Sequence, residues 1–202
     1  MDIIGFALAV LLIELTPGPN MAWLAGLAAT EGRRCGLSAV AGVALGLLAN
    51  GVLAALGLAA LLQAAPQLWN ILRFAGAAMM LWLAIEAWRG TDDGSRSTRP
   101  VSSPRRAFAT GALINLLNPK AYIFFLVVAP QFLNGEALGI RNALILSVIS
   151  VAIATSIHLS IVIAGSAAHE WLSDPQRTRI VQRVFAAIML AVALSFLLTD
   201  LG

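Results

Sequence analysis

Charged residues are scarce in this sequence. Asp, Glu, Lys and Arg make up 11% of the 202 residues, whereas hydrophobic residues make up 59%. A soluble domain carries about 25% charged residues, so this chain has too little polar surface to cover a folded domain in water. The composition therefore predicts an integral membrane protein.

Cysteine is scarcer still. The single cysteine, Cys35, lies in a predicted loop and excludes an internal disulfide, a CxxC redox pair and a thiolate metal cluster. We expect no metal and no other cofactor.

The isoelectric point of about 10.0 would suit nucleic acid, but the arginines lie between apolar segments, where basic residues set membrane orientation. The expected partners are the lipid bilayer and a small-molecule substrate, and not nucleic acid.

Six apolar segments reach the length of about 20 residues that a helix needs to cross the hydrocarbon core. They lie near residues 3–29, 37–63, 67–88, 107–133, 142–168 and 179–199. The chain is thus predicted to be an all-α bundle of six transmembrane helices. The first segment opens with Asp2 and lacks the basic region of a signal peptide, so we expect it to be a retained span.

Arginine is distributed unevenly between these segments. Ten of the 13 Lys and Arg residues lie after the first span, after the third span or in the segment that leads into the sixth span, and two, Arg73 and Arg141, lie towards the other side. Basic residues favour the cytoplasmic side of a membrane. The odd-numbered loops are therefore predicted to be cytoplasmic, with both termini facing outward.

The stretch GTDDGSRSTRPVSSPRR, residues 90–106, is rich in Gly, Ser, Pro and Arg and has no apolar period. This composition is typical of a linker, here a cytoplasmic one. It divides a single transmembrane domain, 1–202, into half one, 1–89, and half two, 107–202. Because each half has three predicted spans, the halves would lie in the membrane with opposite orientation, as an inverted repeat.

Proline interrupts the first and the fourth predicted spans. The first contains TPGP at 16–19, and the fourth contains NP at 118–119. A residue that precedes proline is disfavoured in helical geometry, so we expect Thr16, Gly18 and Asn118 to leave the helix. Both spans are therefore predicted to be broken near their middles.

The two breaks leave backbone groups without partners. Because proline has no N–H, the carbonyl groups of Ile13, Leu15 and Asn115 lose their usual donors four residues later. In lipid such groups are tolerated only where protein or a water-filled cavity satisfies them. Broken helices at corresponding positions of two halves indicate a transporter's binding site. The alternative is a pair of proline kinks that only shape helix packing.

Two charged side chains lie beside the breaks. Glu14 is about halfway along the first span, and Lys120, the only lysine, is about halfway along the fourth. A charge at that depth costs roughly 2.5–3.5 kcal/mol, so it usually faces a partner or a polar cavity. Our hypothesis is that Lys120 and the positive helix ends after the breaks receive a substrate carboxylate, while Glu14 meets an ammonium group or carries a proton. The alternative is a Glu14–Lys120 ion pair that joins the halves.

His158, in the fifth predicted span, is a second candidate for proton coupling, because imidazole exchanges a proton near neutral pH. A packing role is the alternative.

Asn50 and Asn115 would either line a path or hydrogen-bond between helices. The expected substrate site comprises the residues around both breaks, which are Glu14, Thr16, Pro17, Gly18, Pro19, Asn20, Asn115, Asn118, Pro119 and Lys120. The motif GVALG at 42–46 permits close helix packing, and such surfaces allow a homodimer.

Three stretches resemble the LysE/RhtB family of bacterial amino-acid exporters. They are LTPGPN at 15–20, GLSAVAGVALG at 36–46 and NLLNPKAYIFFLVVAPQF at 115–132, and the resemblance extends over essentially the whole chain. It implies efflux of amino acids or related metabolites across the cytoplasmic membrane of a bacterium, coupled to proton entry as in an antiporter. In that membrane, the outward-facing termini that the arginine distribution predicts would lie in the periplasm. It also implies functional importance for Pro17, Gly18, Pro19, Asn118, Pro119 and Lys120.

Other functional classes fit the sequence less well. A membrane-embedded serine protease would need a framed nucleophile, whereas Ser166 and His169 lack the glycine frame, so we expect no catalytic residues and no enzyme. A channel is a further alternative, although broken helices with opposite charges favour alternating access. A metal-cation exporter of a related family is also an alternative, weakened because the spans lack a cluster of Cys, His or Asp.

Overall fold

The computed structural model describes residues 1–16, 18–58, 61, 64–89, 103–135, 138–171 and 174–198, and these contain helices but no strand. Within these ranges the α-helices whose bounds are defined are α1 Ile3–Leu15, α2 Pro19–Leu53, α3 Pro66–Arg89, α4 Pro104–Leu116, α5 Pro119–Ile123, α6 Ile140–Trp171 and α7 Pro175–Leu198. A π-helical segment, Ala54–Leu58, continues α2. A second π-helical segment, Phe124–Val128, and a 3₁₀ turn, Ala129–Phe132, continue α5.

Several helices are long and apolar enough to cross a membrane. Within the described ranges, four meet that condition by length and composition: Pro19–Gly57, Gln67–Arg89, Ile140–Ala167 and Arg179–Leu198. α1 is apolar as well but has only 13 residues. The predicted all-α membrane class is therefore confirmed, whereas the inverted arrangement of six spans stays a prediction.

The backbone leaves the helix at both proline motifs, as expected. Thr16 has φ −75° and ψ 120°, Gly18 has φ −148° and ψ 178°, and Asn118 has φ −84° and ψ 108°. All three are extended conformations, which the following proline favours. Pro17, which the site prediction includes, lies outside the described residues.

The prediction of a loop between the first two spans is wrong. The chain is helical on both sides of Gly32, and only this residue departs from helical geometry, with φ 80° and ψ 179°. A left-handed φ of this kind is accessible to glycine because it has no Cβ. Cys35, which the sequence places in a loop, is instead a buried residue of α2.

The long helix α2 lies at the centre of the packing, against α4 and α6, while α3 packs against α7. A Cβ added to Gly42 would collide with the carbonyl oxygen of Phe108, and one added to Gly46 would lie 2.8 Å from the carbonyl oxygen of Ala112. The GxxxG motif is therefore used for close approach within one chain, and a homodimer stays an untested prediction.

Charged contacts gather at one end of the helices. Arg106, in the first turn of α4, pairs with Glu86 near the end of α3 at 2.6 Å. The Arg183 guanidinium lies 5.6 Å from the ring centroid of Trp88. Of the predicted linker 90–106, residues 103–106 are described and already belong to the capped start of α4; the rest lies outside the described residues.

Candidate functional site

The two breaks lie against each other. The side-chain amide of Asn20, just after the first break, donates to Oδ1 of Asn115, just before the second, at 2.7 Å. Lys120 Nζ, just after the second break, donates to the carbonyl oxygen of Thr16 at 3.2 Å. A Cβ on Gly18 would lie 3.7 Å from the same Nζ. The structure thus brings together residues that lie about one hundred positions apart and that the sequence analysis assigned to one site.

The Lys120 ammonium group caps the broken end of α1. Its Nζ donates to the carbonyl oxygen of Ile13 at 2.8 Å as well as to that of Thr16, and the Thr16 N–H also donates to Ile13 at 3.1 Å. The Ile13 carbonyl is one of those that proline deprives of its helical donor. A cation at this position also suits the negative end of the helix dipole. An ammonium group has three N–H donors; two are used here, and the third has no acceptor among the described residues.

Asn50 has the corresponding role at the second break. Its Nδ2 donates to the carbonyl oxygen of Asn115 at 3.0 Å, which also accepts from the Asn118 N–H at 3.1 Å. This carbonyl would bond to residue 119 in an uninterrupted helix, but Pro119 has no N–H. Each half therefore supplies a side-chain donor for a backbone group of the other half: half two supplies Lys120 and half one supplies Asn50.

Glu14 faces His158 across α1 and α6. Nε2 of His158 lies 3.7 Å from Oε2 of Glu14, and the two side chains are 2% and 22% exposed. The distance is too long for a hydrogen bond, and this Nε2 has no hydrogen-bond partner among the described residues. The ion pairs within 4.0 Å that the described residues make do not include one between Glu14 and Lys120.

A cavity of about 30 Å³ lies between the breaks. Five of the predicted site residues line it, namely Glu14, Asn20, Asn115, Asn118 and Lys120. A space of that size holds a water molecule but is too small for an amino acid. Of the other predicted residues, Thr16 contributes its carbonyl group to Lys120, and the buried Pro19 and Pro119 begin α2 and α5.

A cluster of aromatic side chains lies beside this cavity. Phe124 lines it, and the Phe6 ring centroid lies 5.4 Å from that of Phe124 and 5.8 Å from that of Phe132. Next to this cluster, the Asp2 N–H donates to the carbonyl oxygen of Phe132 at 2.8 Å. The start of α1 and the end of the segment after the second break are thereby joined.

Sequence reasoning missed Ser150, which also lines the cavity and donates from its hydroxyl group to the Leu146 carbonyl at 2.9 Å. The fifth span contains several serines, and spacing alone does not say which one faces the breaks. Across the described parts of the chain, no three side chains of His, Cys, Asp or Glu come together as metal ligands would.

Comparison with known proteins gives the family. The profile of the LysE type translocator family matches residues 11–200. The homoserine/homoserine lactone efflux protein of Salmonella typhimurium is 26% identical over 189 residues, which are 93% of this chain and 92% of the relative. An uncharacterized membrane protein of Pseudomonas aeruginosa is 32% identical over 184 residues, 87% of this chain and 85% of the relative. No solved structure matches. The chain is a multi-pass membrane protein that belongs to the LysE-type translocator family.

Proposed function

We propose that the protein is a secondary active exporter of amino acids or related small metabolites in the cytoplasmic membrane of a bacterium, driven by proton entry. The observation that carries this proposal is the meeting of two broken helices at a polar cavity whose lining comes from both halves. The substrate class is supported by the Salmonella relative, which is named for efflux of homoserine and homoserine lactone.

The charges of the cavity suit a zwitterion. Lys120 keeps one N–H beyond the two that bind Ile13 and Thr16, and this donor would bind the substrate carboxylate. Glu14, also in the lining, would bind the substrate ammonium group. Half-helices that begin at the two breaks add positive ends near the carboxylate. One cation and one anion match the two charges that every amino acid carries.

Glu14 and His158 are the proposed proton carriers. A shortening of their separation of 3.7 Å by about 1 Å would bring them within hydrogen-bond distance, so a small movement of α1 against α6 changes where a proton is held. Competition between this proton and the substrate ammonium group for Glu14 would couple proton entry to export.

A transporter with alternating access also needs two halves that can rock against each other. We propose that the first break joins α1 and the start of α2 into one span, and that Gly32 separates this span from the next. The helix Pro19–Gly57 has 39 residues and would be about 58 Å long if straight, nearly twice the hydrocarbon core of about 30 Å. The bend at Gly32 therefore supports two crossings and a total of six spans.

The helix contacts support an inverted repeat. In such a repeat α1 corresponds to α4, α2 to α6 and α3 to α7. The contact between α1 and α6 then corresponds to the contact between α4 and α2, and the pairs α2–α6 and α3–α7 correspond to themselves. All four pairs are in contact. The arginine-rich end that carries Arg106 and Arg183 would then face the cytoplasm, with both termini in the periplasm.

Purified protein in liposomes tests this function. Labelled amino acids would be loaded and their movement measured with and without an imposed proton gradient, for the native protein, Lys120→Met and Arg141→Met. We expect gradient-stimulated movement that Lys120→Met lowers at least about tenfold. Arg141→Met, which removes a positive charge at the exposed start of α6, should leave it unchanged. Movement of a metal cation but of no amino acid would instead favour a cation exporter, and movement too fast for a carrier would favour a channel.

A further inference from the structure

Helices α3 and α4 lie side by side, and two contacts fix how they meet. At the charged end, Nη2 of Arg106 donates to Oε1 of Glu86 at 2.6 Å. At the other end, a Cβ added to Gly76 would lie 2.5 Å from the carbonyl oxygen of Leu117, just after α4 ends. With a rise of 1.5 Å per residue, the two contacts are roughly 15 Å apart along α3. The helices are therefore antiparallel neighbours over this length, and the line between them is called here the α3–α4 seam.

The outer side of the seam is cationic at one end and apolar below it. The Arg106 guanidinium lies 5.7 Å from the ring centroid of Trp82, which places this ring at the seam, one turn before Glu86. Leu113 lies seven residues after Arg106, on the same face of α4. Trp82 and Leu113 are 42% and 44% exposed. An exposed cation thus lies at the head of the seam, with an exposed ring and an exposed aliphatic side chain below it.

Positive charge exceeds negative charge at the head of the seam. Arg89 lies one turn beyond Glu86, Arg105 lies next to Arg106, and both are exposed. The three guanidinium groups therefore more than balance the carboxylate of Glu86 that Arg106 contacts. A guanidinium group has five N–H donors, of which Arg106 gives one to Glu86, and it binds phosphate through pairs of them. The head of the seam suits a phosphate group, and the part below suits a hydrocarbon chain.

We infer that the α3–α4 seam binds an anionic phospholipid. The lipid phosphate lies at Arg105 and Arg106, Trp82 lies at the level where headgroup and chains meet, and one acyl chain follows Leu113. Basic groups between transmembrane helices bind anionic headgroups, and tryptophan is enriched at the membrane–water interface. A zwitterionic headgroup is disfavoured because it carries an ammonium group among the arginines. A soluble phosphate would leave the apolar part of the seam unused.

Fluorescence quenching by brominated lipid measures this binding. Bromine atoms on acyl chains quench a tryptophan that they touch, and the difference between the native protein and Trp82→Phe isolates the signal of Trp82. The purified protein would be placed in phosphatidylcholine vesicles with either brominated phosphatidylglycerol or brominated phosphatidylcholine. We expect phosphatidylglycerol to bind at least about fivefold more tightly than phosphatidylcholine, which is the effect of one arginine near an anionic surface.

Two double variants separate the seam from the general charge of this end of the molecule. Arg105→Gln combined with Arg106→Gln should lower the preference for phosphatidylglycerol to about one. The matched control, Arg179→Gln combined with Arg183→Gln, removes the same charge from exposed positions of α7. Arg183 lies beside Trp88, away from the seam, so the control should keep the native preference. Inorganic phosphate, added at constant ionic strength, should not displace phosphatidylglycerol.

Four results would overturn the inference. Equal quenching of the native protein by the two brominated lipids would do so without depending on any variant folding. A preference that survives the loss of Arg105 and Arg106 would place the anionic lipid elsewhere. A preference that falls as far in the α7 control would assign it to general charge. Displacement by inorganic phosphate would make the head of the seam a site for a free anion. Each result is independent of amino-acid transport, so the proposed function is tested separately.

Discussion

Nζ of Lys120 lies 2.8 Å from the carbonyl oxygen of Ile13, 107 positions earlier in the chain. The carbonyl belongs to the last turn of α1, where Pro17 removes the expected N–H donor. A lysine that the sequence places beside the second break thus donates to a carbonyl group that the first break leaves without its helical donor. The ammonium group binds backbone and faces the cavity at the same time, so its structural role and its proposed role in substrate binding concern the same nitrogen atom.

Replacement of Lys120 by methionine should affect both roles. The carbonyl groups of Ile13 and Thr16 would lose a charged donor, and we expect the free energy of unfolding to fall by about 1–3 kcal/mol, together with a loss of amino-acid transport of at least about tenfold. Thermal unfolding in detergent and transport in liposomes measure the two effects, with Arg141→Met as the control. Loss of stability with full transport would make Lys120 a purely structural residue.

Asn50→Leu tests the hydrogen bond that Asn50 donates to the Asn115 carbonyl at the second break. The side chain is fully buried, and its loss removes one of the two hydrogen bonds to the Asn115 carbonyl. We expect the free energy of unfolding to fall by about 1 kcal/mol, since the Asn118 N–H keeps the other bond. Asn70→Leu makes the same change at an exposed position and should be close to neutral. Equal stability of the two variants would show that the Asn50 hydrogen bond contributes nothing.

Glu14→Gln and His158→Gln should uncouple transport from the proton gradient. Each keeps the approximate shape of the side chain but removes the titrating group, so we expect efflux with a gradient to fall to the rate that the same variant shows without one. The measurement is efflux of the labelled substrate at several imposed gradients. Glu86→Gln, which removes a carboxylate from the exposed end of α3, should respond to the gradient as the native protein does. Native coupling in both site variants would assign proton transfer to other groups.

Gly42→Ala should destabilise the fold through overpacking. The new Cβ would meet the backbone carbonyl of Phe108, which cannot turn aside as a flexible side chain can, so we expect a loss of about 1–3 kcal/mol. A Cβ on Gly139 meets nothing within 4 Å, and Gly139→Ala is therefore the matched control. Thermal unfolding of the two variants decides the matter. Similar midpoints would contradict the close approach of α2 and α4.

Thiol labelling tests the proposed orientation. In a Cys35→Ala background, Gly139→Cys would lie before the fifth span on the periplasmic side, and Arg105→Cys would lie at the start of α4 on the cytoplasmic side. A membrane-impermeant maleimide added to spheroplasts should label the first variant at once and the second only after permeabilisation. The reverse pattern would place both termini in the cytoplasm.

The parts of the fold that depend on local chemistry could be predicted from the sequence. Extended geometry at Thr16, Gly18 and Asn118 follows from the proline after each of them, and the all-α membrane class follows from composition. The single-residue bend at Gly32 could not be predicted, because arginines and glycines that make a loop also fit two helices joined by one left-handed residue.

The partners within the site depend on tertiary packing. The sequence places Glu14, Asn20, Asn115 and Lys120 near the breaks, but the rotation of each helix decides which atoms meet. Lys120 therefore binds the Ile13 carbonyl and not Glu14, and Glu14 faces His158. Ser150 was missed for the same reason, since nothing local separates it from the other serines of α6.

The side-chain donors that each half supplies to the broken helix of the other have a consequence for biogenesis. The ribosome delivers the first break to the membrane before Lys120 has been made, so the nascent first half inserts with the Ile13 carbonyl lacking its partner from the second half. Asn50, in turn, is already in place when the second break arrives and binds the Asn115 carbonyl. The Ile13 carbonyl therefore gains its Lys120 donor only after synthesis has passed residue 120.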